Sequence, residues 1–154
     1  MQENEIYDNI YRMAFLMLGN YHDAWDLTQE VFYALEKKRK KWEAAENKWA
    51  WACGVFHRQR KKFFRKRKQR SVVSLVENSH SEAPEYQIII REQLHKTFEA
   101  IKTLNVDQKE ALLLFSLEKL SIKEIAVLQN ASVGTVKWRI FEARRKISGL
   151  VLEK

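Results

Sequence analysis

The chain has few of the residues that punctuate or cross-link a fold. One proline and four glycines in 154 residues leave few turn signals, and no segment keeps an apolar alternation of period two. A protein built of strands and hairpins is therefore not expected. The short strand-like runs at 71–76 and 87–90 stand isolated. A single cysteine, Cys53, excludes an internal disulfide and fits a reducing compartment. Cys53 and His57 are four apart and could face one metal ion. A structural zinc site needs four ligands, and His22, His80 and His95 lie in other segments, so no metal is expected. There is no glycine-rich phosphate loop and no nucleophile with a base and an orienting partner, which argues against an enzyme and against a cofactor. The acidic opening MQENEIYDN leads into no long apolar run. Neither a signal peptide nor a membrane span is expected, and the default is a soluble cytoplasmic protein without membrane insertion.

Charge of one sign, in contrast, is abundant and unevenly placed. The net charge is +8. Residues 1–36 hold seven acids against Arg12, whereas residues 37–70 hold fifteen Lys or Arg against Glu43 and Glu46. Such polarity suits a basic partner surface at one place and a polyanion at another. An anionic membrane or RNA would satisfy the charge alone.

Helical spacing runs through the rest. Ile6, Ile10, Met13, Ala14 and Met17 recur at three- and four-residue intervals, and Gly19-Asn20 ends that first helix. A second helix opens at His22-Asp23 and runs to about Lys41. Ala24, Leu27, Val31, Ala34 and Leu35 make its core side, and Asp23, Asp26, Gln29 and Glu30 lie on another. A third helix over residues 47–70 buries Trp51, Val55 and Phe56 and interleaves Trp49, Phe63 and Phe64 with Lys and Arg. That composition suits contact with unpaired bases, with one or two of the rings exposed. Residues 71–93 carry the only proline, Pro84, and read as a linker with a small docking turn at 72–76. Beyond it, Ile90, Leu94, Phe98 and Ile101 form a stripe, and Asp107 with Glu110 is expected to cap the next helix.

Residues 121–146, SIKEIAVLQNASVGTVKWRIFEARRK, read as two helices about a tight turn. Ser121 and Glu124 have capping-box spacing, and Ser132 can cap the second helix. That second helix is expected to bury Val133, Val136, Ile140, Ala143 and Ile147 and to display Lys137, Arg139, Arg144, Arg145 and Lys146. A capped helix, a turn and a longer basic helix follow the helix-turn-helix plan, in which the second helix enters the major groove.

The order of parts resembles the sigma-70 family of bacterial RNA polymerase initiation factors, and more narrowly its two-domain extracytoplasmic-function (ECF) group. The resemblance rests on DAWDLTQEVF at 23–32 and on Gly134-Thr135-Val136-Lys137-x-Arg139 followed by Ala143-Arg144. It implies an all-α fold of two small helical domains. These would be residues 1–70, a linker at 71–93, and residues 94–154, the last a winged-helix-like four-helix helix-turn-helix domain. The implied partners are core RNA polymerase, through its β′ clamp helices and β flap, promoter DNA, and an anti-sigma factor. The resemblance assigns polymerase binding to Asp26, Gln29 and Glu30, flanked by Asp23. It assigns the −10 element to Trp42, Trp49, Arg58, Lys61, Lys62 and Arg65. The −35 element falls to Ser132, Thr135, Lys137, Trp138, Arg139, Arg144 and Arg145.

Five positions depart from the family pattern. Trp25 stands where the family commonly has Glu, Arg58 and Lys62 stand where it often has Asn and Asp, and Asn105 replaces a frequent Pro. Trp138 replaces a small polar residue and is either a buried anchor or a contact to a thymine methyl, with packing the expectation. Arg58 and Lys62 motivate an alternative, a sigma-like DNA-binding regulator that does not itself initiate transcription.

Overall fold

The computed structural model describes residues 2–71 and 99–152. The expected linker, its turn at 72–76 and the stripe residues Ile90, Leu94 and Phe98 lie outside them. The chain divides into two units, Met1–Ser81 and Glu82–Lys154. The described residues of both are helices and turns without a strand.

In the first unit, α1 spans Glu3–Leu18 and α2 spans Tyr21–Lys37. Gly19 joins them in the left-handed region at φ 70°, and its N–H donates to the Phe15 carbonyl at 2.7 Å. A residue without Cβ enters that region at the least cost, which is why the first helix stops here. Asn20 then accepts from the Asp23 N–H at 3.1 Å, so α2 starts at Tyr21, ahead of the expected His22-Asp23. The apolar stripe of α1, Ile6 to Met17, is buried against α2, whose Ala24, Leu27, Val31 and Leu35 are also buried. Thr28 is buried among them because its hydroxyl donates to the Ala24 carbonyl at 2.7 Å.

The second helix does not continue to Lys41. It ends at Lys37, and a separate short helix, α3, follows over Arg39–Glu43. Leu35 is the last core residue of α2, and the charged side chains from Glu36 to Lys41 are exposed, so nothing apolar holds the chain on its course. The break instead lets Trp42 turn inward, where its Nε1 donates to the Lys48 carbonyl at 3.1 Å. Arg39 ties the break down by donating to Glu36 at 2.7 Å and Glu43 at 2.9 Å. The long helix α4, Lys48–Ser71, packs on α2 through Ala52, Cys53, Val55 and Phe56.

In the second unit, residues 99–102 are helical and bury Ala100 and Ile101. Helix α5 spans Val106–Ser116. Its cap is Asn105, which accepts from the Gln108 N–H at 3.0 Å, in place of the expected Asp107. Asn105 sits one residue before the first helical position, whereas Asp107 already lies inside the first turn. Glu110, expected to complete that cap, is fully buried instead.

Helix α6 spans Ile122–Gln129 and has the capping box read from the sequence. The Glu124 N–H donates to Ser121 Oγ at 3.1 Å, and the Ser121 N–H donates to Glu124 Oε2 at 2.9 Å. Asn130 at φ 52° makes the turn, and α7 follows over Val133–Leu152. Val136, Ile140 and Ala143 of α7 are buried, in a helix that packs on both α5 and α6. Val133, expected in this core, is exposed.

Candidate nucleic-acid and partner interfaces

The outer face of α2 carries the four residues assigned to a protein partner. Core residues at 24, 27, 31 and 35 fix the rotation of the helix, so positions 26, 29, 30 and 33 lie off its core stripe. Asp23 is partly buried and pairs with Arg67 of α4 at 3.2 Å. Asp26 lies 3.5 Å from His22, and Gln29 donates to the Tyr7 hydroxyl at 3.0 Å. Glu30 lines a groove of about 590 Å³ between α2 and α4, together with Tyr33, Lys37, Arg58 and Lys62. Two exposed aromatics, Trp25 and Tyr33, flank the acids, and Lys37 Nζ sits 4.4 Å from the Tyr33 ring centre. In the sequence alone Trp25 stands only as a lost charge. The four-residue intervals 25, 29 and 33, off the core stripe, were the signal for an aromatic rim.

On α4 the structure separates the residues assigned to the −10 element. Arg58, Lys61, Lys62 and Arg65 are exposed, and Arg58 and Lys62 share the groove with Glu30. Trp42 and Trp49 are not on the surface. They are 4% and 8% exposed and belong to the core of the first unit. Their positions are set by burial, since each ring removes a large apolar area from water that the short α3 and the start of α4 would otherwise leave open. Phe63 and Phe64 are half-buried. Arg60 faces inward beside His57 at 3.2 Å, despite its place in the basic run. Cys53 and His57 are both buried, and no group of three potential metal ligands occurs among the described residues.

Helix α7 places the remaining candidates on different sides. Ser132 accepts from the Thr135 N–H at 3.1 Å, and the two hydroxyls lie 2.8 Å apart, so both serve the helix start. Lys137 is exposed. Trp138 is 56% exposed and is not the buried anchor expected of it; position 138 lies opposite the buried side made by Val136, Ile140 and Ala143. Phe141, one turn on, is 63% exposed and was not singled out from the sequence, although it falls off the core stripe.

Arg139 turns inward, with only 19% of its side chain exposed. It donates to Gln129 Oε1 at 2.9 Å and lies 3.8 Å from Asp107. Gln129 in turn donates to the buried Glu110 at 3.1 Å. This network fixes α7 against α5 and α6. Arg144 lies over the Phe115 ring at 5.3 Å, and Arg145 makes a two-point contact to Glu142 at 2.8 and 3.2 Å. Hydrogen bonding to Arg145 holds the Glu142 carboxyl below its ordinary range and raises Arg145.

Comparison with known proteins gives this arrangement its family. The profile for Sigma-70 region 2 matches residues 4–70, and the profile for Sigma-70, region 4 matches residues 95–147. The ECF RNA polymerase sigma factor SigE of Mycolicibacterium smegmatis is 29% identical over 150 residues, covering 91% of this chain and 56% of that protein. The chain thus spans little more than half the length of that relative. The ECF RNA polymerase sigma factor EcfG of Rhodopseudomonas palustris is 28% identical over 142 residues, 90% of this chain and 76% of the relative. The ECF RNA polymerase sigma-E factor of Escherichia coli is 38% identical over 68 residues, 44% of this chain and 36% of the relative. The sigma factor RpoE of Bartonella quintana, solved in complex with the anti-sigma factor NepR, superposes with a TM-score of 0.80. At 22% identity over 98% of this chain and 95% of that one, this likeness speaks for the fold. With two regions of one family matched in succession, and ECF factors among its relatives along nearly its whole length, the chain belongs to the sigma-70 family, in its extracytoplasmic-function group.

Proposed function

We propose that this protein binds core RNA polymerase and directs promoter-specific initiation by reading a −10 and a −35 element. The observation that carries the reading is the pairing, in one chain, of an acidic outer face on α2 with a doubly capped helix-turn-helix whose second helix faces solvent. Residues 1–70 would form the polymerase-binding and −10 domain, residues 71–93 the linker, and residues 94–154 the −35 domain. Asp23, Asp26, Gln29 and Glu30 would meet the β′ clamp helices, and the second domain would meet the β flap. Arg58, Lys61, Lys62 and Arg65 would hold the −10 strand by phosphate contact, because the exposed groups there are cations rather than rings.

Lys137 and the outer face of α7 would enter the −35 duplex. Arg144 and Arg145 lie beside it, able to reach phosphate. The role is binding, with no chemistry of its own, and its site is the cytoplasm. No helix among the described residues is long and apolar enough to cross a membrane. An anti-sigma factor of the kind seen with RpoE belongs to the same proposal as a competitor for these surfaces.

Transcription with core polymerase on fragments of the source genome, with mapped start sites, tests the reading. The wild-type protein should give start sites absent from core enzyme alone. Asp26→Arg combined with Glu30→Arg should abolish both co-elution with core polymerase and those transcripts. Retention of either activity by the double variant would remove α2 from the proposal.

A further inference from the structure

The arginine that sequence alone would make the base reader of α7 is committed elsewhere. Arg139 is bonded to Gln129 and lies beside Asp107. Arg145 is held by Glu142, and Arg144 lies over Phe115. The hydroxyls of Ser132 and Thr135 are bonded to each other. Besides the exposed but paired Arg144 and Arg145, what α7 turns to solvent opposite Val136, Ile140 and Ala143 is an aromatic pair, Trp138 and Phe141, with Lys137 alongside. Positions i and i+3 of a helix stand about 5–6 Å apart, which matches one to two base-pair steps of about 3.4 Å. At Gly134, one turn before Trp138, an added Cβ would meet only the Ser132 hydroxyl at 3.9 Å, so the start of the helix is slim enough to approach a groove closely.

In the major groove, the one apolar feature that distinguishes a base is the C5-methyl of thymine, and aromatic and small apolar side chains are its partners. We propose that Trp138 and Phe141 read thymine methyl groups at adjacent positions of the −35 element. Base selection by α7 is thus mainly apolar, and Arg139 acts as the positioning residue that sets the angle of the helix. Lys137 supplies the charge complementarity that a bare protein-binding aromatic patch would not need. The inference rests on the proposal that residues 121–146 form the −35 reader.

The test uses the full chain assembled with core polymerase and a promoter fragment taken from mapped start sites. Each thymine of its −35 region is replaced singly by 2′-deoxyuridine, which removes the methyl and nothing else. One or two of these replacements should weaken holoenzyme binding about fourfold each, the worth of one buried methyl group. Trp138→Ser should lose that discrimination at one position and Phe141→Ala at its neighbour, each with an unchanged thermal melt because both side chains are exposed. A holoenzyme that initiates on the unmodified promoter but is indifferent to every methyl, or that uses a −35 region without thymine, overturns the inference and leaves the pair to a protein partner. A holoenzyme that fails to start on any fragment overturns the −35 reading itself.

Discussion

At the scale of single residues, the informative cases are side chains whose type points one way and whose surroundings decide otherwise. Arg139 carries a charge that a helix-turn-helix would be expected to show to DNA, but the side-chain amide oxygen of Gln129 and the carboxylate of Asp107 draw it inward. A hydrogen bond to a charged group is worth about 1.5–3 kcal/mol net. Arg139→Ala should therefore destabilise the second unit by about that amount in urea titration, and Arg139→Lys, which cannot reproduce the planar fork, should recover only part of it.

Trp42 and Trp49 make a second contrast. Both are buried, but Trp42 Nε1 has the Lys48 carbonyl, whereas Trp49 Nε1 has no acceptor among the described residues. Phenylalanine at 42 should cost about 1 kcal/mol more than phenylalanine at 49, because only the first loses a bond. The same titration on the two variants reads that difference.

Among elements, the junctions decide more than the helix interiors. Gly19 is held at φ 70° between α1 and α2. Gly19→Ala should lower stability by about 1–2 kcal/mol, the cost of a Cβ in the left-handed region, with a matching fall in the thermal midpoint of the first unit. The end of α2 at Lys37 separates the partner-facing helix from the basic one, and Asp23–Arg67 ties α2 back to α4 at 3.2 Å. In the second unit, the Asn130 C-cap of α6 and the Ser132 cap of α7 leave only Ala131 between them. That short turn holds the exposed side of α7 at a fixed attitude to α6.

For the whole molecule, charge is divided between two tasks. The acids of α2 suit a basic protein surface, and the exposed cations of α4 suit phosphate. If Arg58 and Lys62 each neutralise one phosphate, Arg58→Ala with Lys62→Ala should lower the slope of log affinity against log salt by about 2. The loss should be similar across promoter sequences. Filter binding of the holoenzyme over a salt series measures it; a loss confined to one promoter sequence would assign these residues to base reading instead.

The sequence by itself determined what depends on spacing and local bonding. The α1 stripe, the Gly19 stop, the Ser121–Glu124 box, the Ser132 cap and the two blocks of opposite charge were legible because each is settled within a few residues. Only the tertiary structure decided which side chains the neighbouring helices would claim. Trp42 and Trp49 went inward because the first unit had apolar area to cover at the α3–α4 bend. Arg139 was taken up by Gln129 and Asp107, ten and thirty-two positions away in the chain, and no local pattern records that. Trp138 and Phe141 stayed outside because Val136, Ile140 and Ala143 already filled the side of α7 that meets α5 and α6. Periodicity names the core of a helix. Which of the remaining residues stay exposed depends on partners that only folding brings near.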